Sequence, residues 1–333
     1  MTRLAWGLLG LLGVVLPASV FTAPSAVAGG SGPAKVWPGT SRIVVTDQAT
    51  RTVTLLDPEP TLWQRPAEQA EKARWTWSAT DDPELADLDP QRTWKNPSEA
   101  TTRFLNGRQY LLAGASGGLA AVIGYPDGHV YWATDAGNGN VHSLELLPDG
   151  NVAVSASTPG VVRLYTASQG PRSSTYAEFT LPGAHSVHWD PLTRRLWALG
   201  TRNLVVLAVT GPPDAPHLTP VQSVALPTSG GHDLSPVHSS PGRMWVTTNS
   251  GVYQYSPAQN AFVPYPGQDR ISHPGVKSIG DDPATGQVLT TAPAPGNPCA
   301  WCTSTLTLYN PDGTRILINT QLYKARWWTT LRY

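Results

Sequence analysis

Charge is scarce in this sequence and balanced in sign. Asp, Glu, Lys and Arg make up 14% of 333 residues, against the roughly 25% usual in soluble domains, and 23 basic residues face 23 acidic ones. With no basic excess there is no long-range field to attract a phosphate backbone or an acidic membrane, so nucleic acid is not an expected partner. Cysteine is nearly missing: Cys299 and Cys302 are the whole supply, too few for a disulfide framework or a paired-cysteine zinc site. A Walker-type phosphate loop, a G-x-S-x-G elbow and a G-x-G-x-x-G fingerprint before a helix are also absent, and Gly114-Ala115-Ser116-Gly117-Gly118 reads as a tight turn. Beyond the first residues no apolar run is long enough to span a bilayer.

Tryptophan, glycine and proline are plentiful instead. The 31 Gly and 32 Pro, about a fifth of the chain, fall short of a disordered composition and are spread as turn punctuation between short apolar runs. The N-terminus has Arg3, an apolar stretch over 4–15, Pro17 and then Ala26-Val27-Ala28. That order is an export signal, with cleavage expected after Ala28 and a flexible segment over 29–41. The mature protein is expected outside the cell, as a monomer without a transmembrane span. An oxidising compartment makes Cys299-Ala300-Trp301-Cys302 (C-x-x-C overall) a local disulfide rather than a redox motif.

A repeat sets the fold. His142-Ser143-Leu144, His185-Ser186-Val187 and His232-Asp233-Leu234 are spaced by 43 and 47 positions, and 45 further on stands Lys277-Ser278-Ile279. Stepping back 43 from His142 reaches Glu99. Units of 40 to 50 residues with several short β-like runs each are the form of a β-propeller, one four-stranded blade per unit. The His142 unit divides into runs at 142–147, 151–157, 161–166 and 175–181, and the others follow suit. Three runs at the start (42–46, 52–56 and 74–77) leave a blade one strand short, and a spare run over 326–332 is expected to complete it. The expected fold is therefore all-β: a single domain over 42–333, six antiparallel blades, closed by a C-terminal innermost strand that removes the exposed edges. On that count Trp328 takes the sixth repeat position. Trp132, Trp197 and Trp245 are expected as packing between blades, and the polar stretch 78–97 as a loop or a lid.

Equivalent positions at the start of innermost strands converge on one mouth of the axial channel. Three chemistries fit Glu99, His142, His185, His232, Lys277 and Trp328 there. Neutral His142, His185 and His232 could hold a divalent transition metal, zinc, manganese or iron, with Glu99 as a fourth ligand. One histidine could move a proton while Lys277 neutralises charge, with Glu99, Arg326 and Trp328 contacting substrate. The same residues could instead line a wet channel without a substrate.

The segments Val141–Asn151, Ala184–Asp190 and Gly231–Leu234 resemble secreted bacterial six-bladed propeller proteins without an established function. The architecture and the histidine-rich mouth are also similar, at a distance, to propeller polysaccharide lyases and aryl sulfotransferases, although no motif of either matches residue by residue. That likeness implies elimination or hydrolysis on an extracellular, acidic carbohydrate, with a non-catalytic glycan-, small-molecule- or protein-binding module as the alternative.

Overall fold

Hairpin chemistry shapes the chain locally. Asn106 and Gly107 both take the left-handed conformation between strands whose residues Leu105 and Arg108 pair directly, the two-residue turn whose twist matches flanking strands. Repeated along the chain, such turns give the computed structural model, which describes residues 41–58, 73–297 and 299–329. The expected leader, 1–28, and nearly all of the 29–41 segment lie outside the described residues.

Six four-stranded antiparallel sheets form a ring. Blade 1 contains β1 (Arg42–Asp47), β2 (Thr52–Leu56) and β3 (Ala73–Trp77). Blade 2 runs β4 (Pro97–Leu105), β5 (Arg108–Ala115), β6 (Leu119–Gly124) and β7 (Val130–Asp135). Blade 3 is β8 (Val141–Leu146), β9 (Val152–Ala156), β10 (Val161–Tyr165) and β11 (Tyr176–Thr180). Blade 4 is β12 (Ser186–Asp190), β13 (Arg195–Leu199), β14 (Asn203–Thr210) and β15 (His217–Ala225). Blade 5 is β16 (Asp233–Pro236), β17 (Met244–Thr247), β18 (Val252–Ser256) and β19 (Ala261–Val263). Blade 6 is β20 (Ser278–Asp281), β21 (Val288–Thr291), β22 (Thr305–Tyr309) and β23 (Gly313–Ile316).

The last strand, β24 (Leu322–Trp328), joins blade 1 as its innermost strand, with Arg42 opposite Trp328 and Val44 opposite Arg326. Closure is as the surplus strand implied, but the strand begins four residues before 326, and 330–332 lie outside the described residues. Trp328 is consequently not at a repeat position. It is buried between blades 1 and 2, its ring 4.9 Å from that of Tyr125.

Six apolar clusters fill the six seams between neighbouring blades, and Trp132, Trp197 and Trp245 are buried in three of them. The stretch after β3 is not a lid. Short helical turns at Ala79–Asp81, Pro83–Leu88 and Pro90–Thr93 bring Leu85 and Trp94 to full burial, and Trp94 Nε1 donates to the Arg51 carbonyl at 2.8 Å. Amphipathic turns pack this insert against the ring; its acidic residues remain outside. Cys299 and Cys302 are bonded to each other in the loop between β21 and β22.

Candidate functional site

Each inner strand of blades 4, 5 and 6 opens with a bulge. His185 and Ser186 both lie opposite Leu199, His232 and Asp233 opposite Thr247, and Lys277 and Ser278 opposite Thr291. In β4 and β8 the register shifts at Ser98 and at His142. A bulge re-aims a side chain that a regular strand would turn to the opposite face. Two adjacent residues per blade are thereby brought to the axis, in two layers.

The deeper layer explains the small polar residue of the repeat. Ser186 Oγ accepts from Leu234 N at 3.2 Å, Asp233 Oδ2 accepts from Ile279 N at 3.0 Å, and Ser278 Oγ accepts from Ala325 N at 3.1 Å. Each is a staple to the next blade, and the aliphatic residue that follows it enters a seam core. The sixth member is Lys324, not Trp328, and Glu99 belongs to this layer with Ser143 rather than beside His142. The mouth layer is then Ser98, His142, His185, His232, Lys277 and Tyr323. Sequence reading missed Tyr323, Lys324 and Asp233 as a set, although Tyr323-Lys324-Ala325 lies 46 after Lys277-Ser278-Ile279 and likewise ends in an apolar residue.

Four deeper-layer and neighbouring groups close the axis. Lys324 Nζ donates to Glu99 Oε2 at 3.0 Å, Asp233 Oδ1 at 3.2 Å and the His142 carbonyl at 2.9 Å. Arg326 reaches Glu99 through Nε at 2.8 Å and Asp233 through Nη1 at 2.9 Å and Nη2 at 2.6 Å. Burial alone would push both carboxyls up, but Arg326 and then Lys324 outweigh it, holding Glu99 below the ordinary range and Asp233 down to about 2. Burial works against the Arg326 charge, yet Asp233 and Glu99 leave it more firmly protonated than usual. Two anions and two cations form a balanced tetrad, in which Glu99 and Arg326 are paired with one another.

The mouth layer is different. His142 and His185 stack with centroids 4.1 Å apart and planes 13° off parallel, and His232 meets His185 edge-on at 5.0 Å. Tyr323 Oη is 3.3 Å from His142 Nδ1. His185 Nδ1 donates to the Gly183 carbonyl at 3.1 Å, which fixes its tautomer and leaves Nε2 as an acceptor. His232 Nε2 lies 2.8 Å from Asn249 Oδ1 and 3.0 Å from Lys277 Nζ. Burial drives all three imidazoles toward neutrality: well below the ordinary value for His142, to about 4 for His185, and to about 3 for His232 with Lys277 adding to the effect. Burial also lowers Lys277 and, with the charges of Asp233 and Glu99, raises Tyr323.

The three histidines therefore converge, but not as a ligand set. Imidazole lone pairs lie in the ring plane, so stacked rings cannot aim them at one ion, and the nitrogen of His232 is faced by an ammonium. Among the described residues no group of three or more His, Cys, Asp or Glu is placed to hold a metal ion. The chemistry available is that of neutral bases beside a cation.

Residues 59–332 match a family of unknown function, DUF6528. The chain belongs to that family. No curated protein matches it. A crystal structure of a protein of unknown function from Bacteroides caccae is similar at 11% identity over 86% of this chain and 98% of that one, with a TM-score of 0.53. Hydrazine synthase of Kuenenia stuttgartiensis is similar at 13% identity over 80% and 73% of the two chains, with a TM-score of 0.50. At these identities what the family member shares with both is the propeller fold. No helix among the described residues is long and apolar enough to cross a membrane.

Proposed function

We propose that this is an exported protein whose mouth layer binds a carboxylate-bearing glycan and eliminates across it: His185 Nε2 takes the proton next to the carboxylate while Lys277 neutralises that carboxylate, the C–H electron pair becomes the new double bond as the C–O bond on the adjacent carbon breaks, and the departing sugar oxygen is protonated from solvent. Lys277 carries the reading: a half-buried ammonium with no acidic partner within ion-pair distance among the described residues, set against imidazoles held neutral. Every charge of the tetrad below is matched, whereas the mouth lacks one anion. A uronate would supply it, and a neutral imidazole with its tautomer fixed is the form a general base requires. The His142–Tyr323 contact lies beside it as a proton relay. The bonded Cys299–Cys302 pair and the leader-like residues 1–28 support export.

A non-catalytic acid-binding module is the second reading, favoured by the close stacking of His142 on His185. Uronate-containing polysaccharides should bind the protein and yield an unsaturated product followed by ultraviolet absorbance. Lys277→Met should abolish binding and turnover, whereas His185→Gln should abolish turnover alone. Binding by the parent protein without turnover selects the second reading, and failure to bind any uronate overturns both.

A further inference from the structure

At the far end of the inner strands lies a second cluster of ionisable groups that the mouth does not use. Glu145, on β8, is fully buried and held by Arg103 through Nε at 2.5 Å and Nη2 at 2.7 Å. Its Oε2 also accepts from Trp189 N at 3.1 Å and stands 3.4 Å from His188 Nδ1 on the neighbouring β12. His188 is 4% exposed, and no described residue hydrogen-bonds its Nε2. The carboxylate lies on the Nδ1 side of the ring without completing a hydrogen bond to it, and Nε2 is turned away.

The ring forms part of the wall of a cavity of about 380 Å³ between blades 4 and 5, on the face opposite the mouth. Its other walls are mainly apolar and flat, with Pro191, Leu192, Pro236, Pro241 and Met244 prominent among them, and Leu192 is 82% exposed at the rim. The remaining polar groups are already engaged: Asp190 accepts from Leu192 N and Thr193 Oγ1, and Arg243 Nη1 donates to Gln254 Oε1 at 3.2 Å. His238 also lines the cavity, and burial favours its neutral form. The volume is within the range of ligand sites, which are apolar enclosures with few convergent polar atoms.

We infer that this cavity is a second binding site, for an aromatic molecule carrying a hydroxyl, whose ring lies on the proline wall and whose hydroxyl donates to His188 Nε2. The site is independent of the mouth: it lies at the other end of the strands, beyond the tetrad; its one cation, Arg243, is held by Gln254 Oε1, and the acceptor left over is His188 Nε2, which calls for a hydrogen-bond donor.

The probe pair is β-naphthol and naphthalene, titrated calorimetrically into the full protein. One net hydrogen bond should favour β-naphthol roughly two- to tenfold. His188→Phe should erase that preference while leaving naphthalene affinity unchanged, and Leu192→Arg, at the exposed rim, should weaken both probes. In the parent protein the nitrogen-15 resonance of His188 Nε2 should move on adding β-naphthol and not on adding naphthalene, a readout that stands even where His188→Phe lowers the melting temperature. No binding, equal binding of the two probes, a preference that survives His188→Phe, or an unmoved Nε2 resonance would each overturn the inference.

Discussion

Replacing Asp233 by Asn tests the axial tetrad directly. The substitution keeps the shape and removes one of two anions, leaving Lys324 and Arg326 facing Glu99 alone. Asp233 is 0% exposed and accepts from Lys324, from both Arg326 terminal nitrogens and from Ile279 N, so its loss unbalances a buried charge and weakens four hydrogen bonds. Breaking a buried pair from one side costs about 3–5 kcal/mol. At roughly 2–4 °C per kcal/mol for a domain of this size, Asp233→Asn should lower Tm by about 6–20 °C. Adding Lys324→Met restores charge balance, with Glu99 and Arg326 paired, and should recover part of that loss. The pH dependence provides an independent arm. Asp233 is held from 3.8 down to about 2, so its contribution is present above pH 3.8 and is lost as pH falls toward 2. The shift corresponds to about 2 kcal/mol, and Asp233→Asn should remove it from the acid limb of the stability curve. Thermal melts by circular dichroism across pH check both arms. A Tm within about 2 °C of the parent, or an acid limb that Asp233→Asn leaves unchanged, would refute the tetrad as a buried clamp.

Deleting residues 326–333 removes Arg326 and three strand pairings with β1, and calorimetry should show no cooperative transition. The mouth histidines are held neutral, with His185 at about 4 and His232 at about 3, so their stabilisation is complete above pH 6.5 and is lost as pH falls through those values; His185→Gln should flatten stability between pH 6.5 and 4, and imidazole proton shifts in the parent should stay unprotonated at pH 5. Trp94→Ala empties a fully buried site in the seam of blades 1 and 2 and should cost about 3–5 kcal/mol in denaturant titration, with uronate binding at the mouth retained.

The propeller was legible because its periodic signal comes from packing: an aliphatic residue must enter each seam, and a short polar one must staple each inner strand to the next. Closure was legible from strand counting. The error at Glu99 is one residue wide and has one cause. A bulge adds a position to a strand without marking it in the sequence, so counting 43 back from His142 landed in the wrong layer. The error at Trp328 arose because two aromatic residues late in the chain look like a mouth while actually packing inside a seam; Tyr323, whose polar end reaches His142, was passed over. Glu145 and His188, each three residues after a repeat histidine, stand at equivalent positions 43 apart, but nothing in the sequence marks the cavity beside their contact across a blade boundary.

Both cations of the tetrad are carried by β24, which follows every other described strand in the chain, while its anions, Glu99 and Asp233, belong to blades 2 and 5. A chain that has emerged only as far as blade 6 therefore holds two carboxylates converging on an axis with nothing to neutralise them. Their mutual repulsion would oppose closure of the ring on an incomplete blade 1 before β24 arrives. A product truncated before Lys324 is therefore expected to be cut by proteases faster than the parent, which limited proteolysis would read out.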